Sequence, residues 1–445
     1  MLGPTVGFRI CDLSLDVWGH TFLYLPVKSL LRFRSVCKLW RDMINDPHFV
    51  HLHMAQFPNN VEKNNLLVMM HKTDPAFDGK SQWSVRSLDT FTTTRSMVFE
   101  GKNFHRASVM AYVDGLLLLY WRSTEGGIFL WNPCIKKFLQ LPSSITLEME
   151  IIQSRLKFEE SMTVGLGFDS AINDYKVVAM SWKRGGVPIP PVVEVYEIKV
   201  GKWRCVNVND GPFFECWGPQ TLLRGVIHWL GTSTPGGPME KMITFDVRNE
   251  VFRSIELPDG WDEGSYDVPL VSVTVVGESL AFLGLLMEKS RLWVMEEYGD
   301  VSTWTPRYTI NNGTETFRGI LNMELELHEV IYCRWWEGVR SYDNQTGVLN
   351  TSLEPFHDVR YSYVYIESLV LLGIEGTKEE DADLDISLAH LMRPRESCAS
   401  LHNKLDSLLQ RRAISMTADN RDFSEGSGCR RSERLLGRKR KRYAS

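Results

Sequence analysis

Residues 13–49 read LSLDVWGHTFLYLPVKSLLRFRSVCKLWRDMINDPHF, and this stretch decides the character of the N-terminal unit. Its apolar residues recur at helical spacing. Asp16 to Leu25 predicts a short helix with Val17, Phe22 and Leu25 as its apolar positions. Pro26 restricts Leu25 to extended geometry and so ends that helix. The same proline suits the start of the next helix, where its missing N–H costs little. Leu30, Leu31 and Phe33 form the apolar side of this second helix. Val36, Cys37, Trp40 and Ile44 then recur at i, i+1, i+4 and i+8, one face of a third. Asp46-Pro47 ends it, and Lys28, Arg32, Arg34, Lys38 and Arg41 lie between the apolar positions. Three helices of this size bury little surface by themselves. Two readings follow from periodicity: a helical cap on the next domain, or an apolar surface for another protein.

The full chain has 445 residues, 43% hydrophobic and 24% charged, which allows two or three globular domains. A net charge of −5 spread over this length argues against general nucleic-acid or membrane affinity. The eight cysteines are scattered, without a C-x-x-C pair, so neither a disulfide framework nor a zinc site is expected. Met1–Ile10 shows no signal-peptide core, and no apolar run reaches the ~18 residues a membrane helix needs. The expected location is nucleus and/or cytoplasm, not secretion.

From about residue 64 to 372 the signals change to β. GLLLLYW at 115–121, YKVVAM at 175–180, GVIHWL at 225–230 and SLAFLGLL at 279–286 are short apolar runs separated by turn residues. One plan repeats. Trp131 and Phe138, Tyr196 and Trp203, Phe245 and Phe252, and Tyr342 and Leu349 are each seven residues apart, with turn residues between. A strand–turn–strand hairpin explains that spacing better than a helix does. Weaker copies begin at Val85 and Val294. The anchors at 85, 131, 196, 245, 294 and 342 are spaced 46, 65, 49, 49 and 48 residues apart. A period near 50 is that of a kelch-type propeller blade. The chain is therefore expected to be an α+β multidomain protein: a helical unit, an all-β propeller of about six irregular blades, and a tail. In such a stack the anchor aromatics are mainly core.

No G-x-S-x-G elbow, H-E-x-x-H, Walker loop or G-x-G-x-x-G occurs, so no catalytic residue and no cofactor or metal site is expected. His228 beside Trp229 reads as a satisfied core or half-buried strand histidine, and Cys37 as a packing residue. After Leu372 the chain turns acidic at 375–385 and basic at 430–442, with the blocky charge of a disordered tail. Arg438, Lys439, Arg440, Lys441 and Arg442 form a candidate nuclear-localisation patch.

Leu25-Pro26-Val27-Lys28-Ser29-Leu30-Leu31-Arg32-Phe33-Arg34, Val36-Cys37-Lys38 with Trp40-Arg41, and Ile44 with Asp46-Pro47 and Phe49 closely resemble the F-box of plant F-box proteins. That resemblance implies contact with a Skp-type adaptor, and through it with cullin and RING subunits of a ubiquitin ligase. By the same resemblance, Leu13, Val17, Leu25, Pro26, Leu30, Leu31, Val36, Cys37 and Trp40 form the contact, with Trp40 and the two leucines dominant. Leu13-Ser14-Leu15-Asp16 departs from the family's Leu-Pro-x-Asp pattern. Gly19 within the helix and Thr21 are further departures, and all three lower the expected affinity.

The middle region resembles the F-box-associated domain of the same proteins. Its carriers are Gly115-Leu116-Leu117 with Trp131-Asn132-Pro133, Gly165-x-Gly167-Phe168-Asp169 with Asn173-Asp174-Tyr175-Lys176-Val177-Val178, and His228-Trp229 with Phe245-Asp246. The implied layout is an extension at 1–12, an F-box at 13–53, a linker at 54–63, a propeller at 64–372 and a tail at 373–445. The implied function is substrate recognition for an SCF-type ligase, the propeller recruiting a protein client through loops around Trp182–Pro191, Gly231–Glu240 and Asp259–Asp267. The alternatives are a propeller binding module that no longer engages the ligase, and a glycan-binding propeller.

Overall fold

The computed structural model describes residues 15–60, 66–72, 81–87, 93–98, 107–121, 127–148, 160–183, 191–206, 208, 215–233, 239–261, 270–285, 289–311, 329–334, 338–343, 348–349 and 359–379, together with Ser407. Four helices come first: α1 (Leu15–Phe22), α2 (Val27–Phe33), α3 (Lys38–Asn45) and α4 (Pro47–Asn60). Pro26 stands as N-cap of α2, at φ −57° and ψ 145°, and starts that helix; α1 ends at Phe22 rather than at the expected Leu25, and a turn at Leu23–Leu25 leads to the proline.

Asp46-Pro47 both ends one helix and starts the next, and here too the structure departs from expectation. Asp46 caps the C-terminus of α3 with an extended backbone. Its Oδ1 then accepts the N–H of His48 at 2.7 Å and of Phe49 at 3.3 Å. An acidic N-cap followed by proline at the first helical position is a start signal as much as a stop. The expected three-helix unit is thus a four-helix one, and residues 54–60 of the expected linker are helix. α4 is tied back by His53, whose Nε2 donates to Leu25 O at 2.8 Å. Burial holds the His53 pKa below its ordinary value, although the bond to Leu25 opposes this.

The β region forms six sheets, which are the six blades. Blade two is Ala107–Val113, Leu116–Trp121, Gly127–Asn132 and Lys137–Gln140. Blade three is Glu160–Asp169, Asp174–Lys183, Val192–Glu197 and Lys202–Val206. Blade four is Glu215–Leu223, Val226–Thr232, Lys241–Asp246 and Val251–Glu256, and blade five Leu270–Val276, Ser279–Leu285, Lys289–Met295 and Trp304–Asn311. Blade six contains Glu329–Arg334, Gly338–Asp343 and Val348–Leu349.

Blade one closes the ring. Leu66–Lys72, Ser81–Ser87 and Thr93–Val98 are joined by Val359–Tyr365, which pairs antiparallel with Leu66–Lys72. This C-terminal strand thereby completes the N-terminal blade and closes the ring. The first strands of blades two to five touch one another, which defines the axis.

The hairpin expectation holds at four anchors. Trp131 lies opposite Phe138, Tyr196 opposite Trp203, Phe245 opposite Phe252, and Tyr342 opposite Leu349. Ring centroids are 5.6, 5.2 and 4.7 Å apart in the three aromatic pairs, within the range of favourable aromatic contact. The weaker copies differ. Val294 lies opposite Thr305, because its turn is longer and carries a 3-10 segment, Val301–Thr303, capped by Asp300. Val85 lies opposite Arg95.

The glycines of Gly165-x-Gly167 make room for the next blade. A Cβ at Gly165 would collide with the Trp229 indole, and one at Gly167 with Val247. Between them, Leu166 N–H donates to Gln220 Oε1 at 2.6 Å, while Gln220 Nε2 donates to Leu166 O. His228 is buried, hydrogen-bonded to Tyr298 Oη at 2.9 Å, and burial pulls its pKa down to about 4.

A charged latch joins the same two blades. Lys176 Nζ lies 2.8 Å from Asp169 Oδ2 and 2.9 Å from Glu250 Oε1, and donates to Val247 O at 3.1 Å. Glu250 also receives the Arg204 guanidinium. Burial pushes the Asp169 and Glu250 pKa values up, but hydrogen bonds from Lys176, and from Arg204 onto Glu250, outweigh it and leave both below the usual range. A carboxylate with a depressed folded-state pKa stabilises above its unfolded value and loses that contribution as pH falls through the folded one. The urea midpoint is therefore expected to fall as the pH drops below about 4, the ordinary carboxylate range. Lys176→Met leaves the buried Asp169 without its cation and the part-buried Glu250 with Arg204 alone, and should cost about 3 kcal/mol at neutral pH, with a weaker acid dependence in the same titration.

Candidate protein-interaction face

The helical unit is built around Phe22, Val27, Leu30 and Ile44, all buried. Trp40 closes this interior from α3. Its ring lies 5.0 Å from Trp18, 5.0 Å from Phe22 and 5.5 Å from Phe33. Trp40 remains half-buried, so it supports the bundle and also reaches its surface.

The nine residues expected to make a contact divide into groups. Val17 is 45% exposed and Val36 61%. Pro26 and Cys37 are also exposed, whereas Leu25, Leu31 and Trp40 are half-buried. Leu13 lies outside the described residues. Leu30 is a correction: it is 0% exposed. The reason is its place on α2, facing α1 and α3, while its neighbour Leu31 turns partly outward. Leu30 therefore holds the fold and offers no free surface.

Two residues were missed. Tyr24 is 53% and Leu39 54% exposed. Leu39 stands among Lys38, Arg41 and Asp42 on the polar side of α3, and an apolar residue at a polar helical position was the available signal. Of the nine large apolar side chains left exposed among the described residues, four (Val17, Tyr24, Val36 and Leu39) are on this small unit. Leu39 also lines a groove of about 720 Å³ with Gly19, Leu23, Met43, Phe49 and Leu52.

Cys37 has a more specific place than packing. It is the N-cap of α3, in extended geometry, and its Sγ accepts the Trp40 N–H at 3.5 Å. The cap sets the orientation of the Trp40 turn.

The face is held by a strap that follows the closing strand. Ile366 N–H donates to Tyr112 Oη at 2.7 Å. Asn132 Nδ2 then donates to Ser368 O at 3.0 Å, Ser368 Oγ at 3.0 Å and Val370 O at 2.8 Å. Gly115, at φ +81°, lies against the same strap, and a Cβ there would strike Ser368 and Ile366 O. Farther on, a Cβ at Gly373 would lie 3.0 Å from Asn45 O, at the end of α3. Asn45 Oδ1 in turn accepts the Arg34 Nε–H at 2.8 Å. Leu369–Leu372 belong to one apolar cluster with Phe22, Leu30, Ile44 and Val50 of the helices and Leu116 and Leu118 of blade two. Helical unit and propeller thus share a core.

The strap also moves the expected start of the tail. Residues 373–379 belong to the fold, and Lys378–Glu379 pair with Lys137–Phe138 at the edge of blade two. The candidate patch Arg438–Arg442 lies outside the described residues, as do most of the loop segments expected to hold a client (184–190, 234–238 and 262–267).

A helical module with exposed apolar side chains, mounted on a six-bladed propeller, defines a two-part architecture. The F-box domain model matches residues 10–52, and the F-box associated beta propeller domain model matches residues 69–330, more than half of the chain. The chain belongs to the family of F-box proteins with an F-box associated β-propeller domain. Relatives come from Arabidopsis thaliana. The putative F-box protein At1g47730 is 26% identical, over 79% of this chain and 83% of that protein. The F-box/kelch-repeat protein At3g23880 is 24% identical over 69% and 82%, and the F-box protein CPR1 23% identical over 68% and 73%.

Three substitutions test this construction. Leu30→Ala should lower stability by about 2–4 kcal/mol through the cavity it leaves, read in urea unfolding. Cys37→Ser should hold or raise the melting temperature, because a hydroxyl is a stronger N-cap acceptor, by up to about 1 kcal/mol. Asn132→Ala leaves buried strap carbonyls without their donor and should cost about 3 kcal/mol, with faster proteolysis within 366–379.

Proposed function

We propose that this chain is the substrate receptor of an SCF-type cullin-RING ubiquitin ligase, its helical module binding a Skp-type adaptor and its propeller holding a protein client. The observation that carries the reading is the concentration of exposed apolar side chains on the helical module. Four of the nine exposed large apolar side chains among the described residues sit on this short module, an enrichment that points to a partner surface. Val17, Tyr24, Val36 and Leu39 supply the apolar contacts, with Leu25, Pro26, Leu31, Cys37 and Trp40 contributing their accessible parts. Adaptor binding through such a module is general to F-box domains, and the family membership supports it.

In this reading the chain supplies no catalytic group. It holds a client near a ubiquitin-charged enzyme, so that an encounter between two molecules becomes effectively intramolecular. The shared core of module and propeller suits that role, because it fixes the direction in which the client faces. The basic run Arg438–Arg442 is read as a nuclear-localisation signal, which would bring receptor and client together in the nucleus. Deleting it should move a fluorescent fusion from nucleus to cytoplasm.

The adaptor test is co-purification of the full chain with a plant Skp-type adaptor. Val36→Asp with Leu39→Asp should remove binding, since truncating an apolar anchor typically costs ~2 kcal/mol or more and a buried charge costs more still. Both side chains are exposed, so the variant should melt like wild type. Wild type that is folded and does not bind would favour the other reading, a client-binding propeller uncoupled from the ligase by the departures at Ser14, Gly19 and Thr21.

A further inference from the structure

A cavity of about 290 Å³ lies where α4, the strap and blade three meet. Its floor and walls are mostly apolar: Val50 and Met54 from α4, Ile198 from blade three, and Leu371, Leu372 and Ile374 from the strap. One side is aromatic. His51 stacks on Phe168 with centroids 5.3 Å apart, and Phe168 lies 4.9 Å from Tyr175.

The polar groups at this cavity are mostly committed. Asp174 accepts the N–H groups of Tyr175 and Lys199, each at 2.9 Å. Lys199 Nζ donates to Ile172 O at 3.4 Å and to Asn173 O at 2.5 Å. Asp114 is the exception. Its Oδ2 accepts the Tyr175 hydroxyl at 3.0 Å, and this is the one hydrogen bond that its side chain receives among the described residues. Burial pushes its pKa up, against the Tyr175 bond and the charge of His51. Two carboxylates, Asp114 and Asp174, thus line the cavity against the Lys199 ammonium and the His51 ring, and the Lys199 ammonium is already engaged by two carbonyls.

We propose that this cavity binds a small apolar amine, its hydrocarbon part against α4 and the strap, its ammonium on Asp114 and its edge against the Phe168–Tyr175 rings. A cavity between domains with apolar walls and one convergent polar group is the usual form of a small-molecule site. An ammonium adds a charged donor to Asp114, whose side chain otherwise receives one hydrogen bond among the described residues, and aromatic faces add cation–π attraction. A carboxylate ligand would bring a third negative charge beside Asp114 and Asp174, against the one ammonium of Lys199. The volume, at the small end for ligand sites, selects a compact molecule. The walls come from both the helical module and the propeller, so occupancy would also stiffen their junction.

The test uses the full chain with three probes of matched size: 2-phenylethylamine, 2-phenylethanol and phenylacetate, followed by ligand-observed NMR and calorimetry. The amine should bind at least about tenfold more tightly than the alcohol, a difference of ~1.4 kcal/mol, and phenylacetate should give no saturable signal. Asp114→Asn keeps an acceptor for Tyr175 and suits the left-handed backbone at φ 50°, since asparagine tolerates that region. It should reduce the amine to the level of the alcohol. Val50→Phe, which fills the space, should abolish binding of both while the melting transition persists. An amine that binds less than tenfold more tightly than the alcohol, or one whose affinity is unchanged in Asp114→Asn, would overturn the proposal.

Discussion

The side-chain amide of Asn132 holds the junction on which the rest of the molecule depends. It reaches from blade two to three acceptors on the strap that follows ring closure. From Ile366 to Thr377 the strap backbone is neither helix nor strand, and its buried carbonyls need donors from elsewhere. Asn132 meets that need at Ser368 and Val370. Gly115 complements it by bringing the neighbouring turn close enough for contact, where any side chain would strike the strap. The strap then presents Leu369–Leu372 to the helices and places Gly373 against the end of α3. The helical module is therefore mounted on the C-terminal end of the described propeller, although it precedes the propeller in the chain.

The same economy of contacts joins blades three and four. Each blade presents a face that cannot be buried alone, so stability depends on neighbour interfaces. Here the interface is keyed: a glycine notch at 165 and 167 accepts Trp229 and Val247, and Gln220 bonds both backbone groups of Leu166. The Lys176 latch lies on this interface too, close to Val247. Residues far apart in sequence thus form one unit. Gly165 is small because Trp229 is large, and neither choice makes sense from its own strand.

Much of this was legible in the sequence. The seven-residue anchor spacing gave four correct strand registers, because side chains directly opposite in a short hairpin are set by turn length alone. Pro26 and Asp46-Pro47 marked helix boundaries by local backbone rules. α4 escaped because Asp46-Pro47 was read only as a stop, when the same pair starts a helix. The strap escaped because it has no periodicity: its residues are buried by Asn132 and the helices, which a local pattern does not show. Leu30 was placed on the surface for a related reason. Helical spacing says which residues share a side of α2, but not which of Leu30 and Leu31 faces α1 and α3. Leu39 and Tyr24, by contrast, stand out only once the interior is known, since an exposed apolar residue is informative relative to a core already filled.

A receptor that works by proximity needs its two binding parts at a fixed distance and angle. A flexible linker would meet the distance on average and lose the angle, and effective concentration would fall with each added residue. This chain has instead a helix, α4, where the sequence suggested the start of a linker, and a strap that returns from the ring's closure to meet the helices. Both connections cross the same junction, one leading into the propeller and one leaving it. Two attachments resist rotation about either one, and the apolar cluster between them resists separation. The orientation of the propeller relative to the exposed face of Val17, Tyr24, Val36 and Leu39 is thus a property of packed side chains. Changes at Asn132 or Gly115, remote from any partner surface, would loosen that orientation before they altered a contact.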